Sequence, residues 1–307
     1  LSKSRPILVT GADGFVGRHL TVALSAARVL APPLDVRDAA AVASVIRDTV
    51  PACCVHLAAI SSVTRADAAE DVAWQTNLHG TLNVARAVLA YAPSCQLLFA
   101  SSADAYGASF QSGAPVAESS PLAPVTLYGA TKAAADLALG SLAARGLQVV
   151  RLRLFNHIGA GQSADFVVAS FARQLALIGA GKQAPVMQVG RLDTWRDFLD
   201  VRDVCAAYGA CIARRNSLPA GSILNIASGQ PRRIGDVLDE MITMSGLTVD
   251  VRAQAPLVRH IDIPRVSGNA ARAAQLLGWT TTISWQETLR TVMNDWRGRA
   301  TAADVSG

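Results

Sequence analysis

Short apolar runs alternate with helix-length stretches along the first half of this chain. Pro6-Ile7-Leu8-Val9-Thr10 reads as a strand that leads directly into Gly11-Ala12-Asp13-Gly14-Phe15-Val16-Gly17, and a helix is expected from about Arg18 to Ala27. A second strand over Arg28–Ala31 is cut short by Pro32-Pro33. Asp38 can cap a helix running to about Val50, and Cys53–Ala59 reads as a buried strand. A long helix is expected from about Asp71 to Tyr91, then a strand over Gln96–Ala100, a helix over about 126–142 and a strand over Val149–Leu154. This alternation predicts βα units around a parallel sheet, with functional groups gathered at the C-terminal ends of its strands.

Composition narrows the class. A chain of 307 residues, 51% hydrophobic and 17% charged, suits one large or two modest globular domains. The net charge of +5 is spread along the chain with no dense basic run. That argues against a nucleic-acid partner and for a small anionic ligand. Cys53 and Cys54 lie side by side in an apolar run, so the five cysteines read as reduced core residues. Without CxxC or HExxH spacing, no metal site is expected. No apolar run is long enough to span a bilayer and the N-terminus lacks a signal-peptide profile, so the expected location is cytoplasmic, with no membrane partner.

Three stretches carry chemistry. Strand, glycine-rich turn and helix in that order suit a pyrophosphate, because glycines allow close backbone approach and a helix N-terminus offers free N–H groups. A carboxylate about 20 residues on would select NAD, but that region holds Ala31, Pro32 and Pro33. Arg18 can meet a 2′-phosphate instead, so NADP(H) is favoured, with NAD(H) possible. Tyr128 and Lys132 stand one turn apart on a helix, where an ammonium can favour the anion of a phenol that otherwise titrates near pH ~10. Ser102 follows one strand, and Asn156 and His157 follow another. His56, inside an apolar run, reads as a core residue.

Together Thr10-Gly11-xx-Gly14-Phe15 with Gly17, the Leu57-Ala58-Ala59 strand end, Asn77, Ser101-Ser102 before Tyr106-Gly107, and Tyr128-xxx-Lys132 resemble the extended short-chain dehydrogenase/reductases. Arg153–Gln162, Asp165-Phe166-Val167, Arg196–Val204, Asn225–Gly229, Arg259–Pro264 and Leu276–Trp279 are similar to segments of the GDP-mannose-modifying members. The resemblance implies a Rossmann-type doubly wound parallel sheet with a smaller C-terminal α/β substrate-binding lobe. Residues 1–155 would form the dinucleotide domain, with 195–215 returning to it; 156–194 and 216–307 would be mainly substrate lobe.

The resemblance also implies roles. Tyr128 would be the acid, Lys132 would hold the cofactor ribose and depress the pKa of Tyr128, and Ser102 would bond the reacting oxygen. Gly11, Gly14, Phe15 and Val16 would take the pyrophosphate, Asp35 and Val36 the adenine edge, and Leu57, Ala58 and Ala59 the adjacent ribose. Asn77 would support Lys132 through a water. Ser102, Ala103, Asn156, Arg173, Arg196 and Arg259 would hold the substrate. The implied reaction is NAD(P)H-dependent reduction of the C4 keto group of a GDP-linked deoxyhexose. A 4,6-dehydratase or epimerase is the alternative, and a cofactor-sensing protein without catalysis a further one. A homodimer through helices 77–91 and 126–142 is expected. The shortened second strand loosens the cofactor inference. Ala160 and His260 in place of prolines, and Arg191 in place of asparagine, make nucleotide-sugar a firmer inference than GDP.

Overall fold

The computed structural model describes residues 5–253 and 263–302. In chain order the elements are β1 (Ile7–Thr10), α1 (Phe15–Ala23), β2 (Val29–Leu30), α2 (Ala39–Thr49), β3 (Cys53–His56), α3 (Val63–Ala68) and α4 (Glu70–Trp74). A π-helical turn (Gln75–Gly80) leads into α5 (Thr81–Tyr91), β4 (Gln96–Ser102), α6 (Leu127–Ala143), β5 (Val149–Leu154), β6 (Asn156–Ile158), α7 (Val167–Gly179) and β7 (Val186–Val189). Then come β8 (Trp195–Asp200), α8 (Val201–Ala213), β9 (Ser222–Ile226), β10 (Pro231–Arg233), α9 (Ile234–Ser245), β11 (Asp250–Ala253), α10 (Ala271–Leu277) and α11 (Trp285–Ala302).

The main sheet is six-stranded in the order β2-β1-β3-β4-β5-β9, and every pairing in it is parallel. Its strands read as unbroken apolar runs because both faces are covered. Alternate residues point to opposite sides. Val9, Val55, Leu98 and Leu152 pack with Leu20, Val204 and Tyr208 on the α1–α8 side. Leu8, Cys54, Leu97 and Phe99 pack with Val42, Ile46, Val88 and Leu139 on the α2–α5–α6 side. This doubly wound α/β arrangement is the Rossmann-like fold expected from the sequence.

A separate three-stranded sheet, β10-β8-β6, and the pair β11-β7 lie outside the main sheet. Ile158, Phe171, Met187, Phe198, Leu238 and Leu289 make their core with α7, α9 and α11. Within the stretch 195–215, β8 joins this smaller sheet whereas α8 packs on the main one. The sixth strand of the main sheet is β9, from the stretch read as smaller lobe.

Two helices differ most from the sequence expectation. The first helix starts at Phe15, inside the glycine turn, and ends at Ala23. The long helix expected over 71–91 is interrupted by the π-turn that carries Asn77. Asp38 caps α2 as expected, accepting from the amides of Ala40 and Ala41. All five cysteines are free and buried. Among the described residues no helix is long and apolar enough to cross a membrane.

Candidate active site

The C-terminal ends of β1, β3, β4 and β5 open onto a cavity of about 220 Å³ lined by Gly11, Gly14, Phe15, Val16, Leu57, Ala59, Ser102, Ala103, Asp104, Tyr128, Lys132 and Asn156, among others. One wall is built for a pyrophosphate. Gly11 has a φ of +71°, and a Cβ there would meet the backbone of Ala58 at 2.6 Å. Gly14 starts α1 with no side-chain cap, and no acid stands in the first turn, so the helix N-terminus keeps free N–H groups and its positive field. These residues fit a dinucleotide.

The opposite wall is α6. Thr126 caps it by accepting the Gly129 amide at 3.0 Å. Gly129 lies so close to the Asp104 carbonyl that a Cβ would stand 2.6 Å from it. The short turn Ala103–Ala105 therefore sits on the first turn of α6, one residue from Tyr128. Ser102 ends β4 and accepts the Asp104 amide at 3.1 Å.

Tyr128 is 9% exposed. Burial first, and then the Asp104 carboxylate, push its phenol above the ordinary value, while a hydrogen bond with Ser102 opposes them. Burial alone pushes Lys132 down to about 7. Its ammonium donates to the Ala100 carbonyl at 2.8 Å and stands 5.1 Å from the centre of the Phe99 ring. Burial and Asp104, rather than Lys132, set the direction of the Tyr128 shift.

Asn77 exchanges two bonds with the backbone of Ile60 and donates to the Thr131 hydroxyl at 2.9 Å, which in turn donates to the Tyr128 carbonyl. It therefore ties the loop after β3 to α6. The core residue His56 is bracketed by Thr10 (2.7 Å) and Thr81 (2.9 Å), and Thr81 donates to the Asn77 carbonyl. Burial and the Lys132 charge push His56 down to about 3, so it is neutral.

Other expected residues lie outside the cavity lining. Arg18 is exposed and donates to the carbonyls of Asp13 (2.6 Å) and Gly161 (3.0 Å). Asp35 is paired with Arg37 at 2.6 Å, whose hydrogen bonds pull its carboxyl down to about 2. Val36 is buried against Gly80, and Ala58 packs behind the glycine turn. Arg173 is exposed on α7. Arg196 donates to the carbonyls of Trp195 and Ile263. Arg259 lies outside the described residues.

Among the cavity-lining residues with no assigned role in the sequence reading are His157, Gln162 and Phe166. His157 stacks on Phe15, with ring centres 6.0 Å apart, and donates from Nδ1 to the Phe155 carbonyl. Gln162 donates to the His157 carbonyl. Their signal in the sequence is membership of the segments Arg153–Gln162 and Asp165-Phe166-Val167.

Comparison with known proteins places this geometry. The profile of the NAD dependent epimerase/dehydratase family matches residues 7–227. The GDP-6-deoxy-D-mannose reductase of Pseudomonas aeruginosa is 34% identical over 95% of this chain and 97% of its own. The GDP-6-deoxy-D-talose 4-dehydrogenase of Aggregatibacter actinomycetemcomitans is 27% identical over 89% and 91%. Among solved structures, RMD from Pseudomonas aeruginosa complexed with NADPH superposes with a TM-score of 0.87 at 32% identity, covering 96% of this chain and 100% of that one.

Proposed function

The chain belongs to the NAD dependent epimerase/dehydratase family, and within it we propose that it uses NADPH to reduce the C4 keto group of GDP-4-dehydro-6-deoxy-D-mannose, giving GDP-6-deoxy-D-mannose (GDP-D-rhamnose). It is an NAD(P)-dependent oxidoreductase of nucleotide sugars. The observation that carries the reading is that Ser102, Tyr128 and Lys132 line one cavity together with the glycine-rich turn. Tyr128, hydrogen-bonded with Ser102, stands where its phenol can give a proton to an oxygen bound beside them.

When bound, the reduced nicotinamide supplies a hydride to C4. Tyr128 then donates its proton to the C4 oxygen, and Ser102 stabilises the charge that develops there. Lys132, anchored by the Ala100 carbonyl, directs its other donors to the ribose. Asn77 keeps α6 in register with the loop after β3. The glycine turn and the N-terminus of α1 would hold the pyrophosphate, with Leu57 and Ala59 on the ribose side. Asn156 and Ala103 line the sugar side.

NADP(H) is the preferred cofactor in this reading. Its support is the lack of a free acid after β2, since the nearest, Asp35, is neutralised by Arg37, together with the NADPH held by the similar structure. A homodimer through α5 and α6 is part of the same reading; Leu137 on α6 is 61% exposed and Tyr91 on α5 is 42% exposed.

The test is NADPH consumption with GDP-4-dehydro-6-deoxy-D-mannose, run beside GDP-mannose with oxidised cofactor. Stoichiometric consumption with the keto sugar alone is expected. Loss of water from GDP-mannose without net cofactor turnover would instead assign a dehydratase, with Asp104 as the acid in the cavity. Tyr128→Phe should abolish turnover and leave NADPH binding intact; surviving activity would refute the assignment of the acid.

A further inference from the structure

Four side chains from two distant helices converge on one turn, Gly159–Gln162. From α1, Arg18 donates to the Gly161 carbonyl at 3.0 Å, and His19 donates from Nε2 to the Ala160 carbonyl at 2.7 Å. From α11, Asp295 accepts the Gly161 amide at 3.0 Å and Arg299 donates to the Gln162 carbonyl at 3.4 Å. Asp295 and Arg299 are themselves paired at 2.7 Å. Gly161 has a φ of +87°, and a Cβ there would meet Arg18 Nη2 at 3.4 Å and Arg299 Nη2 at 3.9 Å. The left-handed backbone is what favours glycine here, since a Cβ would make only ordinary contacts with the two guanidinium groups.

The other half of the Arg18 fork is bonded to the Asp13 carbonyl, inside the glycine-rich turn. One guanidinium therefore joins the pyrophosphate turn to a loop of the smaller lobe. Both carbonyls lie in its plane-and-fork reach, a geometry that arginine satisfies and lysine does not. On the cavity side of the same loop stand His157 and Gln162, and Gln162 is 3% exposed with its amide donating to the His157 carbonyl.

We propose that Arg18 is a positioning residue that locks the glycine-rich turn onto the Gly159–Gln162 turn, and is not a ligand of the cofactor's 2′-phosphate. The inference rests on the reading of the cavity as a nicotinamide dinucleotide site. It separates from the choice between NADP and NAD, because a residue that sets the shape of the pyrophosphate turn serves both cofactors alike. Asp295 acts on the same turn from the opposite side without touching Arg18, so the two should be coupled through Gly161.

The experiment measures the Kd of NADPH and of NADH by fluorescence, and the Tm, for the unaltered chain, Arg18→Met, Asp295→Asn and the double variant. Arg18→Met is expected to weaken both cofactors by a similar factor, about 3- to 10-fold, for the loss of charge-assisted bonds. The Tm should stay within a few degrees, and the double variant should lose less than the product of the single effects. Loss of NADPH affinity with NADH unchanged would overturn the proposal and make Arg18 a phosphate ligand. Unchanged affinity for both, or losses that multiply, would also overturn it. Failure of the unaltered chain to bind either cofactor would overturn the functional reading itself.

Discussion

Lys132 is buried at a cost to folding, and its substitution should show this. The residue is 3% exposed, and burial brings its ammonium from 10.5 down to about 7. At about 1.4 kcal/mol per pH unit, keeping it charged in the folded chain costs roughly 5 kcal/mol below pH 7. Between about pH 7 and 10.5 the unfolded chain holds a proton on this lysine that the folded chain has lost. Unfolding free energy therefore rises with pH across that window, by up to about 1.4 kcal/mol per unit. Lys132→Met removes the titration and keeps the volume. It also removes the bond to Ala100 and the contact with Phe99, but those losses add an offset that does not titrate with the lysine. Urea unfolding of the ligand-free proteins, followed by tryptophan fluorescence at pH 6, 7, 8 and 9, should show the advantage of the methionine variant greatest at pH 6 and shrinking steadily above pH 7. The same variant should lose most of its turnover. A stability difference that is flat with pH would refute the reasoning, because the lysine would then carry the same charge folded and unfolded.

Two further outcomes follow from buried charge. Asp136 is fully buried and accepts from Arg151, Arg153 and the Ser101 hydroxyl, so Asp136→Ala should cost about 3–5 kcal/mol by leaving two guanidinium groups uncompensated, read as a lowered urea midpoint. Asp104→Asn removes a charge that raises the Tyr128 phenol; with Tyr128 acting as the protonated acid, the alkaline limb of the pH–rate profile should move to lower pH, and an unmoved limb would exclude that influence.

What the sequence made legible was local. The strand, the glycine turn and the helix behind it are contiguous, and the one-turn spacing of Tyr128 and Lys132 is a property of any helix, so both could be read directly. Ser102 was legible as a strand end. The π-turn at Asn77 was not, because its cause is tertiary: Asn77 is held by Ile60 and by Thr131, 54 residues away. Nor was the membership of β9 in the main sheet, since parallel pairing with β5 leaves no mark on a short apolar run. Arg18 shows the same limit: no local signal marks its bond to Gly161, which lies 143 residues along the chain. The environment of Tyr128 was likewise hidden, because spacing reports which groups are near and not how much water is excluded between them.

The ties to the Gly159–Gln162 turn span 143, 134 and 137 residues. Closing loops of that length is entropically costly, and contacts of such separation form late. A folding chain can assemble the parallel sheet from neighbouring βα units well before α11 reaches the turn. The corner that joins the pyrophosphate turn to the smaller lobe is then among the last pieces to settle. On this order of assembly, a partly folded molecule would carry its sheet without a finished pocket.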